Sequence, residues 1–130
     1  MDAWQKLLFV TLGGGLGSAM RYSLSGFLHR WLGTGFPFGT WAVNILGSFL
    51  LGFLMAHDFD EMGLGAHWRL ALTTGLMGGF TTYSTFNQET LDYFRQGSVG
   101  LAAANLGVTV FFCLLSGALG FSTGRGLTLG

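Results

Sequence analysis

The stretch that decides the fold is Gly75-Leu76-Met77-Gly78-Gly79-Phe80-Thr81-Thr82-Tyr83-Ser84-Thr85-Phe86, inside a long hydrophobic segment. Three glycines weaken helical order in its first half, and hydroxyl side chains crowd its second half. Backbone that leaves regular geometry at membrane depth is tolerated only where it is buried in protein or lines a cavity. We therefore predict a membrane helix that is broken in mid-span, with function at the break and freed carbonyls that could coordinate a cation.

The composition of the whole chain favours a membrane protein. Half of the 130 residues are hydrophobic and only 9% are charged, whereas about a quarter of the residues of a soluble domain are charged. Six basic and six acidic side chains leave no net charge, so the charge balance does not indicate a nucleic acid partner. The lone Cys113 excludes an internal disulfide.

Four hydrophobic stretches are long enough to span a bilayer, which takes about 20 apolar residues each. They cover approximately residues 4–28, 38–56, 68–94 and 99–121, and they predict one all-α membrane domain over residues 1–130. The first stretch loosely imitates a secretory signal, but its hydrophobic pattern continues to Leu28, so we expect it to be kept as the first helix. The loops are too short for a soluble domain, and an enzyme would need its site inside the membrane.

The basic residues give almost no indication of orientation. Three lie on each side of the predicted membrane, so the positive-inside rule gives no bias. Either the signal is simply weak in a small protein, or copies insert both ways and pair antiparallel. The two groups are Lys6, Arg69 and Arg125 on one side, and Arg21, Arg30 and Arg95 on the other.

Polar residues recur every four positions on the second and fourth predicted helices and so form narrow faces. Small and hydroxylated residues of this kind commonly serve close helix packing. Asn44 differs, because a carboxamide in mid-span needs several hydrogen bonds, which favours a pore-facing or inter-helix role. The two stripes are Thr40, Asn44, Ser48 and Gly52, and Asn105, Thr109, Cys113 and Gly117.

The first predicted helix carries a ridge of glycines followed by Arg21. Gly13 and Gly17 form a small-xxx-small pair, which predicts helix packing. A phosphate-binding loop would need a preceding strand, and none is predicted. Arg21 either extends its charge to the lipid headgroups or attracts anions in a vestibule.

Two aromatic rings and an acidic residue follow the break. Tyr83 and Phe86 are three apart, so on a helix both rings lean to one side; ordinary packing is the alternative. Thr81, Thr85 and Glu89 form another stripe at a spacing of four, in which Glu89 either continues the polar face or marks the membrane interface.

These residues resemble the signature of the bacterial fluoride-exporting channels, the Fluc or CrcB family. The similarity covers nearly the whole chain and is most specific in the third predicted helix. The matching stretches are Gly75 to Phe86 with Glu89, Gly13-Gly14-Gly15-Leu16-Gly17 with Arg21-Tyr22, and Gly39-Thr40 with Asn44-Ile45-Leu46-Gly47.

The resemblance implies a fluoride-selective channel for passive export, which protects the cell against fluoride toxicity. It implies an antiparallel, dual-topology homodimer in the bacterial inner membrane, in contact with lipid, with two fluoride pathways and a structural sodium ion at the centre. Backbone carbonyls of Gly78 and Thr81 from both subunits would hold the sodium. The implied fluoride pathway comprises Asn44, Tyr83, Phe86, Ser84, Thr85, Thr109 and Cys113, and the implied vestibule positions are Arg21, Thr40 and Glu89.

Two residues depart from the family pattern. Phenylalanine is usual where Tyr83 stands, and the added hydroxyl bears on ion coordination or conduction rate. Cys113 stands where a small hydroxyl residue is expected, and a thiol is the weaker hydrogen-bond donor. Both departures bear on rate and selectivity rather than on the family.

Three other functions compete with the channel. A proton-coupled multidrug exporter needs a carboxylate deep in the first helix, where this chain has Arg21 instead. A non-transporting membrane subunit would explain the glycines but not Asn44 or the cluster of hydroxyl and aromatic residues. An enzyme is not predicted, because the predicted spans contain no catalytic pair. The second loop carries residue types that could bind a metal, but it is better explained as a solvated loop. These residues are His57, Asp58, Asp60, Glu61 and His67.

Overall fold

The computed structural model describes residues 1–129, and its regular secondary structure is helical throughout that range. Helix α1 covers Ala3–Leu32 and begins in a capping box between Asp2 and Gln5. It ends at Gly33, whose φ of 79° is a left-handed conformation that glycine adopts without strain. Helix α2 covers Phe38–Met55 and α6 covers Val99–Leu129.

The third hydrophobic segment is divided into several pieces. Helix α3 (Gly65–Leu70) continues into a π-helical stretch (Ala71–Met77) and then into the single turn α4 (Gly78–Phe80). Thr81 and Thr82 are extended, with ψ angles of 159° and 114°. Helix α5 (Tyr83–Arg95) follows, capped by the side chain of Thr82.

The break therefore does not lie at the glycines, where helical weakening was predicted. Gly75, Gly78 and Gly79 are all helical. The two residues that leave the helix are threonines, and the side chain of Asn44 on α2 binds the backbone N–H and carbonyl of the second, Thr82. The π-helical stretch before the break was not predicted at all; such turns occur frequently at functional sites.

The helices also extend further than the predicted spans. Helix α1 continues four residues past Leu28, the third segment begins at Gly65 rather than residue 68, and α6 continues past Phe121. Helical geometry does not stop where hydrocarbon ends, since backbone bonds within a helix form equally in the headgroup region.

The outer surface is apolar in a way that suits lipid. By length and composition, two helices of the described chain could cross a membrane, Phe38–Met55 and Val99–Leu127. Glycines and Arg21 interrupt the apolar run of α1, and the third segment is divided into short pieces. Large apolar side chains on α1 and α6 point outward, among them Trp4 (79% exposed) and Leu114 (70% exposed). Exposing so large an apolar surface to water would be energetically costly.

Close backbone contacts hold α1 against the third segment. A Cβ atom at Gly13 would collide with the carbonyl of Ala71, and one at Gly17 would collide with the carbonyl of Leu76. Only glycine permits this approach, so the interpretation of the glycine ridge as a packing surface is confirmed. Helices α2 and α6 approach each other in the same way at Gly120, whose Cβ would meet the carbonyl of Phe49.

The buried apolar centre lies where α2 meets the third segment. Val43, Met77 and Phe80 are buried there, and leucines of α1, α2 and the third segment pack around them. This centre fixes α2 beside the break, which brings the polar stripe of α2 to the interrupted backbone.

Candidate functional site

Asn44 holds the break open. Its Nδ2 donates to the carbonyl of Thr82 at 2.9 Å, and its Oδ1 accepts from the Thr82 N–H at 2.7 Å. In a continuous helix that N–H would donate to the carbonyl of Gly78, four residues earlier. The carboxamide of α2 thus replaces the helical hydrogen bond of the Thr82 N–H, and Asn44 is only 8% exposed.

Two carbonyls lose their helical donors as a result. The Thr82 N–H that would bind the Gly78 carbonyl is bound to Asn44 instead. The Thr85 N–H that would bind the Thr81 carbonyl donates to the Thr82 hydroxyl at 3.2 Å. Gly78 and Thr81 are the two residues that the family resemblance assigns to sodium.

Both freed residues line a wide groove of about 610 Å³. Open space surrounds Gly78, since a Cβ atom there would meet no neighbour within 4 Å. Backbone carbonyls are hard oxygen donors of the type that alkali cations take where a membrane helix is unwound. The donor set therefore fits a sodium ion. The groove also includes Thr73, Thr74, Met77 and Arg69, with apolar side chains of α2 on its other wall.

A second cavity, here called the aromatic cavity, is lined by Asn44 and has a volume of about 240 Å³. The rings of Tyr83 and Phe86 meet there edge to face, with centroids 5.5 Å apart and planes at 66°. Five residues predicted for the pathway share this cavity with three others. Its lining consists of Asn44, Ser48, Thr81, Thr82, Tyr83, Phe86, Thr109 and Cys113.

A third cavity, here called the polar cavity, has a volume of about 380 Å³. It gathers the three predicted vestibule residues and Thr85, which the sequence placed in the pathway. The Thr40 hydroxyl donates to Glu89 Oε1 at 2.5 Å. Its lining consists of Arg21, Tyr22, Ser25, Gly26, His29, Thr40, Thr82, Thr85 and Glu89.

Arg21 reaches the end of the first half-helix rather than turning away from the protein. Its Nε donates to the carbonyl of Gly79 at 3.0 Å. The C-terminal end of a helix is electronegative and favours a cation. Arg21 also lines the polar cavity.

Thr82 joins the two cavities, and the sequence did not single it out. It lines both cavities, and its hydroxyl donates to Thr85 Oγ1 at 3.0 Å. A threonine three residues before Thr85 at a helix start is a typical N-cap signal, but the pattern does not show that the cap separates two cavities. Ser84 lines neither cavity; its hydroxyl lies 3.4 Å from that of Thr82.

The acidic and histidine residues of the second loop do not assemble. Within residues 1–129 the structure contains no group of three or more His, Cys, Asp or Glu side chains that could hold a metal. The Nδ1 of His57 lies 2.8 Å from the carbonyl of Phe53, which ties that ring to α2.

The protein has apolar outer helices and a broken helix that borders both the aromatic cavity and the polar cavity. This combination defines a membrane protein of the transport type. The sequence pattern described as "CrcB-like protein, Camphor Resistance (CrcB)" matches residues 8–121. The chain belongs to the CrcB family, as its motifs predicted.

Curated relatives match most or all of the chain. A protein of Sorangium cellulosum is 42% identical over 130 residues, which is 100% of both chains. One of Anaeromyxobacter sp. (strain K) is 48% identical over 111 residues, 85% of this chain and 88% of its own. One of Citrifermentans bemidjiense is 39% identical over 123 residues, 95% of this chain and 99% of its own. All three are named "Fluoride-specific ion channel FluC", a non-enzymatic function.

Proposed function

We propose that this protein is a fluoride-selective channel for passive fluoride export across the bacterial inner membrane, which protects the cell against fluoride toxicity. The observation that carries the proposal is the aromatic cavity at the broken helix, which Asn44, Thr109 and two aromatic rings line together. The names of the full-length relatives support fluoride as the ion.

The lining chemistry suits a small anion. Moving such an ion out of water without compensation would cost tens of kcal/mol, so a pathway must supply donors. Hydroxyls of Ser48, Thr82 and Thr109 can turn toward an ion, and aromatic edges carry partial positive charge. The lining of the aromatic cavity has no basic side chain. Contacts of this strength let an ion leave as readily as it arrives.

The two cavities suggest a route. Arg21 in the polar cavity raises the local anion concentration. Thr82 and Thr85 then provide hydroxyls at the boundary between the cavities. From there the ion passes into the aromatic cavity beside Phe86. Ser84 belongs to this route only if a second subunit completes its surroundings.

We further propose a structural sodium ion at the freed carbonyls of Gly78 and Thr81. The support is their loss of helical donors and their position in the 610 Å³ groove. A bound cation would take the place of the missing donors at these two carbonyls and add positive potential to an anion pathway.

An antiparallel homodimer, inserted in both orientations, would place this groove between two subunits. Tyr83 is 77% exposed although it borders the aromatic cavity, so one wall of that cavity is open in a single chain. A second subunit would close that wall. The equal distribution of basic residues between the two sides supports dual topology.

The test is the purified full-length protein in liposomes, with efflux followed by fluoride and chloride electrodes. We expect fluoride efflux far above protein-free vesicles and no chloride efflux; equal permeation of both, or of neither, would overturn the proposal. Replacing sodium on both sides with N-methylglucamine should lower the rate. Single-cysteine variants labelled from each side should show both orientations, and one uniform orientation would refute dual topology.

A further inference from the structure

Asn105 is a buried amide to which no role in transport has been assigned above. It lies on α6, and its side chain is 0% exposed. Its Oδ1 accepts from the indole Nε1 of Trp41 at 2.8 Å, and its Nδ2 donates to the hydroxyl of Thr90 at 2.9 Å. Each of these partners lies on a different helix, α2 and α5 respectively.

The chemistry of the partners fixes the direction of every bond. An indole N–H can only donate, so the amide oxygen of Asn105 must face Trp41 and its nitrogen must face Thr90. The Thr90 hydroxyl donates its single hydrogen to the carbonyl of Phe86 at 2.7 Å. An ordered chain therefore runs from α2 through Asn105 to the backbone that carries the Phe86 ring.

Helix α5 depends on such side-chain bonds. Two extended residues separate it from α4, so helical bonds do not fix its position relative to the first half. It packs mainly on α6. Asn44 holds its first turn at Thr82, and Thr40 holds Glu89. Asn105 is the tie from α6, and it acts one turn after Phe86.

We propose that Asn105 is a positioning residue for anion passage: it clamps α5 between α2 and α6 and so sets the ring of Phe86 at the wall of the aromatic cavity. This inference rests on the proposed channel function. Linked hydrogen bonds in a low dielectric strengthen one another, so the clamp acts as a unit rather than as three separate contacts.

Asn105 also binds the hydroxyl of Thr109, a residue that lines the aromatic cavity. The Thr109 hydroxyl donates to Asn105 Oδ1 over 3.4 Å, which is long for such a bond. An arriving anion can draw this hydroxyl into the aromatic cavity. The amide oxygen then still accepts from Trp41, so no buried polar group is left unpaired.

The experiment compares fluoride efflux from liposomes for wild type, Thr90→Val, Thr90→Ser, Asn105→Leu and the double variant Thr90→Val/Asn105→Leu. Valine and leucine keep the shape but remove the hydrogen bonds. We expect Thr90→Val and Asn105→Leu each to lower the efflux rate on the order of tenfold. Thr90→Ser should keep the wild-type rate, and the double variant should be no slower than Asn105→Leu alone, because both changes break one chain.

The control is Thr123→Val on α6, which removes an exposed hydroxyl bonded only within its own helix, to Leu119. It should leave efflux unchanged. Wild-type rates in Thr90→Val, or losses that simply multiply in the double variant, would overturn the inference. If Asn105→Leu does not fold, Trp41→Phe replaces it in the same cycle. Absence of efflux in the wild type would instead refute the channel function itself.

Discussion

Asn44→Leu is the sharpest perturbation of the site, since one side chain satisfies both backbone groups of Thr82. Leucine has nearly the same size but cannot bind either group. As the N-cap of α5, Thr82 also offers its carbonyl to the first hydrogen bond of that helix, so leucine leaves only the Thr82 N–H without a partner. An unsatisfied N–H of this kind destabilises the open break by about 1–3 kcal/mol. The Thr82 N–H can recover a partner only by returning to the Gly78 carbonyl, which would close the break and remove a proposed sodium ligand.

The variant should therefore lose two properties at once. We expect fluoride efflux to fall on the order of 10- to 100-fold, because about 1–3 kcal/mol corresponds to roughly one to two powers of ten, and any dependence of stability on sodium to weaken. Efflux is measured with a fluoride electrode, and the oligomer by size-exclusion chromatography in sodium and in N-methylglucamine. Gln96→Leu makes the same chemical change at an exposed carboxamide after α5 and should behave as wild type. Normal efflux from folded Asn44→Leu protein would show that the amide does not maintain the pathway.

Three further predictions address packing, donor strength and charge. Gly17→Ala should destabilise the protein by about 1–3 kcal/mol, because the new Cβ meets a backbone carbonyl. The Cβ of Gly15→Ala has open space, so that variant should change the free energy of unfolding by less than about 0.5 kcal/mol. Equal melting temperatures of the two variants would contradict the packing argument. Cys113→Ser should raise fluoride efflux about two- to tenfold, since a hydroxyl donates better than a thiol, and an unchanged rate would remove Cys113 from the pathway. Arg21→Gln should slow efflux at low ionic strength by roughly tenfold, and the deficit should shrink as salt screens the charge. Arg30→Gln, at an exposed position near the end of α1, should have a smaller effect. A deficit of Arg21→Gln that is independent of salt would refute electrostatic attraction.

The local sequence was sufficient for the helical class and for the faces that several polar residues share. A shortage of charge and long apolar stretches predict lipid-facing helices because hydrocarbon admits little else. Stripes at a spacing of four placed Asn44 on one narrow face of the second predicted helix and Thr109 with Cys113 on one of the fourth, and the structure brings all three to one cavity. Tyr83 and Phe86, three apart, have their rings in contact.

Other features depended on partners that are distant in the chain. Thr82 was not singled out, because its importance comes from Asn44, 38 residues away. The same holds for Asn105, which the stripe placed on a packing face but whose partners on α2 and α5 give it a role as a clamp. Pattern reasoning identifies which face a side chain is on, and it does not identify what stands opposite.

The sequence by itself determined that the third segment could not be an ordinary lipid-facing helix, because its glycines and hydroxyl residues neither favour a helix nor suit hydrocarbon. The tertiary structure decided where that segment breaks. The helix remains intact through Gly78 and Gly79 and opens at Thr81 and Thr82. Gly79 lets α1 approach closely, since a Cβ atom there would collide with the carbonyl of Gly14. It opens there because a carboxamide from α2 binds the Thr82 backbone, and a hydrogen bond from another helix can replace a helical one only where packing has already brought the two together.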